Sequence, residues 1–369
     1  MTPPHAEPAT PLLRATGLRK AFPLPGGRRL LAVDGVDLAL ERGRTLAVVG
    51  ESGCGKSTLG RLLLRLQPAD AGRIELGGAE IGTLPGLALR RRLQVVFQDP
   101  YASLDPRQRI RDVLTRPMRL HGLASGQDAL HRAAALMERV GLSAALLDRL
   151  PHEFSGGQRQ RIAIARALTV DPELIICDEP VSALDVSVQA QVINLLQDLQ
   201  RERGLTLLFI SHDLAVVRQL AQSVMVMYAG RVVEAGPVPA LFAAPAHPYT
   251  RALLAAAPRV DAGPRSHAAM ADEPPDPTAL PPGCRFAGRC PHAREECRHG
   301  PHPPLAPVAA DHHSACLFAG ALPPWPRPAA VTTLPPRLDA YRRARDAARD
   351  AAQNTAQNTV RDPNGSAAA

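Results

Sequence analysis

The chain of 369 residues is 45% apolar, enough for one large domain with a sizeable core and an appendage. No uninterrupted apolar run approaches the roughly 18 residues that a bilayer-spanning helix needs, which excludes a membrane span. A formal charge of +8 raises nucleic acid as a partner, but the arginines are spread along the chain and aromatics are only 3%, so no nucleic-acid role is expected.

Residues 1–11 read as a disordered, Pro-rich lead with neither a basic start nor an apolar run. No secretion signal is expected, and the protein is read as cytoplasmic. Leu12–Phe22 and Leu30–Leu40 look like strands of a small antiparallel sheet, with a loop over Pro23–Arg29 and a turn at Asp34-Gly35. The apolar strand Leu46–Val49 then meets Gly50-Glu51-Ser52-Gly53-Cys54-Gly55-Lys56-Ser57, followed by the helical stretch Thr58–Leu66. This fits G-x-x-x-x-G-K-[ST] in its required strand-to-helix setting. The glycines let backbone N–H groups wrap phosphate oxygens, Lys56 reaches the terminal phosphates, and Ser57 offers its hydroxyl to Mg²⁺. Of the 43 basic residues only Lys20 and Lys56 are lysines. A chain so biased to arginine that keeps lysine here needs a compact ammonium, not a planar fork.

Short strands are expected at Gly72–Leu76 and Leu93–Phe97, with Arg90-Arg91-Arg92 a solvated face before the second. Gln98 follows at once, where its side-chain carbonyl could reach Mg²⁺ or an attacking water. From about 100 to 153 strand signals are missing, and Ala129, Ala133, Leu136, Met137 and Val140 recur at helical spacing, punctuated by Pro117 and Gly122. A Gly-rich turn, Ser155-Gly156-Gly157-Gln158, opens the next helix and suits an anion. The run Leu174-Ile175-Ile176-Cys177 is too short for a helix and typical of a strand buried on both faces. It ends in Asp178 and Glu179, whose side chains point apart because alternation continues at a strand end. One can hold a metal while the other acts on water.

An amphipathic helix is expected over Val186–Arg203, ended by Gly204, and then a buried strand over Leu205–Ile210. His212 sits just past that strand's C-terminal end, where open α/β sheets bind ligands. Ser223–Tyr228 and Gly230–Glu234 look like a closing hairpin, and His247–Ala257 a helix. Eighteen of the 37 prolines fall between 258 and 336, which excludes a second doubly wound domain. Within this stretch Cys284, Cys290, Cys297 and Cys316 suggest a covalent or metal staple, whereas Cys54 and Cys177 are small residues in tight packing. A cytoplasmic setting argues against disulfides. The spacing does not match the close pairs of zinc ribbons. Loosely spaced thiolates suit an iron–sulfur cluster, with zinc, free thiols and disulfides as the alternatives. Beyond 336 an Arg/Ala-rich segment, with a short helix near 337–352, leads into a disordered tail.

Six motifs occur in order: GESGCGKST, FQDP (97–100), SGGQ, LIICDEP, SALD and SHDL (211–214). Over 12–258 the chain therefore resembles the ATP-binding subunit of an ABC transporter. FQDPYASLDPR, PHEFSGGQRQRIAIARAL, HPYTRALL and the Cys-rich segment narrow the resemblance to the oligopeptide/dipeptide importers. Phe154, where the wider superfamily usually has Leu, agrees with that group. The resemblance implies an α/β P-loop NTPase fold: a RecA-like core, an antiparallel β subdomain, a helical subdomain inserted at about 100–153, an extension over 259–320 and a tail over 321–369.

ATP and Mg²⁺ are the implied ligands, with Phe22 stacking on adenine and Gly50 to Thr58 around the phosphates. Ser57, Gln98 and Asp178 are implied at the metal, Glu179 as general base and His212 on the γ-phosphate. Ser155, Gly156, Gly157 and Gln158 would act on the ATP of a partner ATPase across a head-to-tail dimer, with Asp185 in the loop at that interface. That partner would be a similar second subunit or another copy of this chain. Two membrane-spanning permease subunits and, indirectly, an extracytoplasmic binding protein complete the implied assembly on the cytoplasmic face of the membrane. The cluster expected on Cys284, Cys290, Cys297 and Cys316 would be of the [4Fe-4S] type. Non-transport ATPases of this superfamily carry long coiled-coil insertions or paired units, which the short interval from Gln98 to Ser155 does not allow. A non-hydrolysing subunit would have lost Glu179 or His212. Nickel, glutathione or sugar-linked cargo stays open beside peptides.

Overall fold

The structure, a computed structural model, describes residues 10–99, 103–256 and 275–325. Most of the expected lead, Ala257 and the expected helix near 337–352 with its tail lie outside the described residues.

The chain opens with two long antiparallel strands, β1 (Leu13–Pro23) and β2 (Arg29–Leu40). In β2 Val36, Leu38 and Leu40 are buried while Asp37 and Ala39 face solvent, the period of a half-buried strand. Asp34-Gly35 is not the expected turn. Gly35 takes φ 67° and drops out of register between the pairs Leu18–Val36 and Arg19–Asp34, so it forms a bulge inside β2.

Next come β3 (Thr45–Val49), buried at every position, and α1 (Lys56–Leu63). β4 (Ala71–Leu76) and β5 (Ala79–Glu80) complete the first sheet in the order β2-β1-β4-β5. α2 (Gly86–Arg92) carries the three arginines into β6 (Leu93–Val96). They are not a uniformly solvated face: Arg90 donates to the Leu64 carbonyl at 2.8 Å and Arg92 pairs with Glu173, leaving only Arg91 exposed.

α3 (Ile110–Leu120) and α4 (Gly126–Arg139) build the helical layer. The expected positions Ala129, Ala133, Leu136 and Met137 are buried. Pro117 lies within α3 and does not break it, whereas Gly122, at φ 64°, follows the helix end.

The second half alternates α5 (Gly156–Leu168), β7 (Leu174–Asp178), α6 (Val186–Arg203), β8 (Thr206–Ser211), α7 (Leu214–Leu220) and β9 (Ser223–Tyr228). β10 (Arg231–Pro237), α8 (Val238–Ala243), α9 (Pro248–Ala256), α10 (Glu295–His299), β11 (Ala306–Ala309) and β12 (His312–Ser314) follow.

Strands β6-β7-β8-β3-β9 run parallel in that order. Successive residues of β7 and β8 face opposite layers. Ile175, Cys177, Leu207 and Phe209 join the core under the helical layer, while Leu174, Ile176, Leu208 and Ile210 join the core shared with the first sheet and α1. Burial pushes the Cys177 thiol up to about 12, so it is a small apolar residue here, as expected.

The Cys-rich extension is continuous with this sheet. β10 pairs antiparallel with β12 through Glu234–Ser314, and β12 with β11. Glu234, fully buried, accepts from the Ala246 and His247 N–H groups at 2.7 and 2.9 Å and contacts His312 Nε2 at 2.7 Å.

A second anchor is Asp34 on the bulge. It pairs with Arg285 of the extension, with Arg231 at 2.7 Å and with Arg19 at 3.4 Å. Burial raises its pKa, but the hydrogen bonds and charges of Arg231 and Arg285 outweigh that, so the carboxyl titrates below its ordinary value. Its stabilisation is therefore complete above the ordinary carboxylate range and is lost as pH falls through the lower folded-state value. Asp34→Asn leaves Arg285 buried without its countercharge and is expected to cost about 3–5 kcal/mol in denaturant unfolding at pH 7. The gap to the wild type is expected to narrow below about pH 4; a gap that is absent at pH 7, or that widens in acid, contradicts this role.

Candidate functional site

The site forms where β3, β7 and β8 end side by side. The loop from Gly50 to Gly55 leads from β3 into α1, and its last glycine can be nothing else. Gly55 has φ 106°, and a Cβ there would lie 2.1 Å from the Ala32 carbonyl oxygen. Lys56, 4% exposed, donates to the carbonyls of Gly50 at 2.8 Å and Glu51 at 2.9 Å, so its ammonium is held inside the loop. Ser57 follows and donates from its hydroxyl to Asp178 Oδ1 at 2.9 Å. Burial raises the pKa of Asp178, partly offset by that hydrogen bond.

Glu179 lies just past β7 with φ 48°, a left-handed conformation that a glutamate adopts only under constraint. Its N–H donates to the Ile210 carbonyl of β8 at 3.0 Å, and its own carbonyl accepts the Ser182 hydroxyl at 3.0 Å. The two carboxylates take different partners: Asp178 accepts from Ser57, whereas Glu179 faces Lys56 and His212. The Glu179 carboxylate lies 3.9 Å from Lys56 Nζ and 3.2 Å from His212 Nδ1. Lys56, Ser57, Asp178, Glu179 and His212, taken from three separate stretches of sequence, thus share one site.

Gln98 lies exposed just past β6, and the preceding Phe97 carbonyl accepts from Gln160 of α5 at 3.4 Å. Ser155 caps α5: its hydroxyl accepts the Gln158 N–H at 3.3 Å and its own N–H donates to Gln158 Oε1 at 2.9 Å. Gly157 packs so closely on α6 that a Cβ would lie 2.2 Å from Val188 Cγ1. Asp185 stands exposed at the start of α6, beside the 82%-exposed Val186. Phe22, at the end of β1, is half-buried with Lys20 Nζ 5.7 Å from its ring centre.

Two residues from beyond β10 reach this site, and neither belongs to the six ordered motifs. Tyr249 accepts the Glu51 N–H at 2.8 Å, and Arg289 grips the Glu51 carboxylate with two bonds of 2.9 and 3.0 Å. HPYTRALL flags the first of these as a segment, but no spacing marks Arg289.

Cys284, Cys290, Cys297 and Cys316 line one cavity with His247, His292 and Phe286, and all six cysteines are free thiols, not disulfides. Burial raises the Cys290 and Cys316 thiols and pushes Cys284 up to about 11. Burial also holds His247 neutral, with a pKa down at about 3. Its Nδ1 accepts the Tyr249 N–H at 3.1 Å, so Nε2 carries the ring proton and has no partner among the described residues. No group of three or more His, Cys, Asp or Glu among the described residues is gathered tightly enough to hold a metal ion. No helix among the described residues is long and apolar enough to cross a membrane.

Residues 33–182 match the ABC transporter family model, and residues 233–297 match the C-terminal region of the oligopeptide/dipeptide transporter family. The second match begins within β10 and ends at Cys297. The chain is 50% identical over 303 residues to Dipeptide transport ATP-binding protein DppF of Haemophilus influenzae, covering 79% of this chain and 93% of that protein. It is 48% identical over 311 residues to the Escherichia coli protein of the same name, covering 82% and 92%. An ATP-binding cassette solved as a dimer in a post-hydrolysis state with ADP and Pi superposes at a TM-score of 0.56 and 27% identity, over 61% of this chain and 98% of that one. The cbiO1 protein of Clostridium perfringens, part of the ABC transporter complex cbiONQ, gives a TM-score of 0.56 at 28% identity, over 63% and 91%. This chain belongs to the ATP-binding proteins of ABC transporters, in the oligopeptide/dipeptide importer family.

Proposed function

We propose that this chain is the ATP-hydrolysing subunit that powers peptide import across the cytoplasmic membrane, working on that membrane's inner face. The observation that carries the reading is the convergence of Lys56, Ser57, Asp178, Glu179 and His212 at the ends of three adjacent parallel strands.

The amides of the loop and the Lys56 ammonium bind and orient the phosphates. Magnesium takes oxygen ligands, and the Ser57 hydroxyl and Asp178 carboxylate, 2.9 Å apart, fit it, with the Gln98 carbonyl as a third donor. Bound there, the ion neutralises charge on the transferring phosphoryl group. Glu179 takes a proton from water as the water oxygen bonds to the γ-phosphorus and the bond to the β–γ bridging oxygen breaks. His212 steadies Glu179 and contacts the γ-phosphate. Phe22 stacks on the adenine.

Ser155, Gly156, Gly157 and Gln158 serve the ATP bound by a partner ATPase, and Asp185 lies at the joint. This is supported by the exposure of Ser155, Asp185 and Val186. The partner is a second, similar subunit, and the helical layer transmits closure to two permease subunits fed by an extracytoplasmic binding protein.

The four C-terminal thiols hold a [4Fe-4S] cluster in this reading. Zinc, at about 2.3 Å from each sulfur, needs its ligands drawn to one point. Four thiols around an apolar cavity, with a His247 N–H beside them that has no partner among the described residues, suit a larger group with its own acceptor sulfurs. The cluster's part is structural, tying the extension to the ATPase core.

Glu179→Gln keeps shape and ATP binding and is expected to lower ATP turnover by about 10²-fold or more. Uptake of a labelled dipeptide is expected to stop in cells carrying it. Near-normal hydrolysis removes Glu179 as the base, and normal hydrolysis by the wild type without peptide uptake removes the cargo assignment. Anaerobic purification is expected to yield a brown protein containing iron, and Cys290→Ser a colourless one. A colourless wild type with four titratable thiols overturns the cluster, and one equivalent of zinc replaces it.

A further inference from the structure

Glu51, the second residue of the phosphate loop, is held at three points, and two of them come from far along the chain. Its carbonyl accepts Lys56 Nζ at 2.9 Å, its N–H donates to the Tyr249 hydroxyl at 2.8 Å, and its carboxylate takes both terminal nitrogens of Arg289 at 2.9 and 3.0 Å. Side-chain exposure is 8% for Arg289 and 15% for Glu51, so the pair is shielded from water and salt. Its two-pronged geometry fixes direction as well as distance.

Arg289 is itself tightly placed. Its guanidinium lies 5.9 Å from the ring centres of both Tyr228 and Phe286 and donates to the Tyr228 hydroxyl at 3.3 Å. Those rings pack with Tyr249 at centroid distances of 4.5 to 5.4 Å. The backbone carrying Arg289 is a compact turn. The Ala287 N–H donates to the Cys284 carbonyl at 2.9 Å and the Arg289 N–H to that of Phe286 at 3.0 Å. The turn is flanked by Cys284 and Cys290, two of the four thiols on the cavity. One short turn thus carries two thiols of the cavity together with the arginine that holds Glu51.

We propose that Arg289 is a positioning residue for ATP binding: through Glu51 it holds the phosphate loop in its binding shape, so the Cys-rich extension sets the affinity of the nucleotide site. Arg289 acts through Glu51, on the shape of the loop. Losing it loosens the loop, which must then be ordered when ATP binds. The effect falls on affinity and not on the chemical step.

The test uses the full-length chain with Arg289→Lys, Arg289→Gln, Glu51→Gln and the double variant Glu51→Gln/Arg289→Gln. Arg289→Lys keeps the charge but loses the fork, and is expected to raise the Kd and KM for ATP about tenfold while kcat at saturating ATP stays within about twofold. Amide exchange in residues 51–55 is expected to accelerate while that of β3 and β8 is unchanged. The double variant is expected to be no weaker than the worse single variant, because both break one contact. Should Arg289→Gln fail to fold, Arg289→Lys and Glu51→Gln decide the matter on the same readouts. An ATP Kd within twofold of the wild type in folded Arg289→Lys and Glu51→Gln overturns the proposal. So does a loss carried by kcat alone, or losses that add in the double variant.

Discussion

A single buried ammonium organises this molecule. Lys56 is almost wholly removed from water, and a charge in that position must be paired or hydrogen-bonded at every donor. Two donors are used on the Gly50 and Glu51 carbonyls, which closes the loop on itself, and the Glu179 carboxylate stands nearby. These demands bring the end of β3 and the end of β7 together, and β8 lies between them in the sheet. The hydrogen bond from Ser57 to Asp178 continues the same seam. The left-handed backbone at Glu179 is the cost of aiming a second carboxylate into it.

The extension acts on this seam at two depths. Asp34 and its arginines, with Glu234 and His312, fasten it to the first sheet and to β10. Arg289 and Tyr249 carry it onward to Glu51. A segment rich in proline with little core of its own gains order by lending side chains to the ATPase domain, and the phosphate loop gains a wall that the RecA-like core alone does not provide. The thiol cavity sits behind this wall, which places any group bound there next to the residues that shape the nucleotide site.

Chemistry encoded in contiguous residues was legible before the fold was known. Gly50 to Ser57 needs its glycines and lysine at fixed spacing, and Asp178-Glu179 ends an apolar run that only a buried strand explains. Alternation at the end of β7 predicts different partners for the two carboxylates, and Asp178 indeed meets Ser57 while Glu179 meets Lys56 and His212; the left-handed backbone at Glu179 carries no signal in the sequence. Asp34-Gly35 has turn composition, yet two long partners keep pairing past it and absorb the glycine as a bulge. Arg90 and Arg92 read as solvated because charge runs usually are, but acceptors at Leu64 and Glu173 bring them in. Arg289 was beyond reach. Its partner lies 238 residues away, and one arginine among many carries no pattern.

The most direct test of this arrangement is the response of the full-length chain to Lys56→Arg, read as equilibrium ATP binding and steady-state turnover together. Charge is preserved, but a planar guanidinium cannot donate to two converging loop carbonyls from the same compact point. Loss of at least tenfold in ATP affinity or in turnover is the expected result. An unchanged Kd together with an unchanged kcat would contradict the assignment of this loop as the nucleotide site.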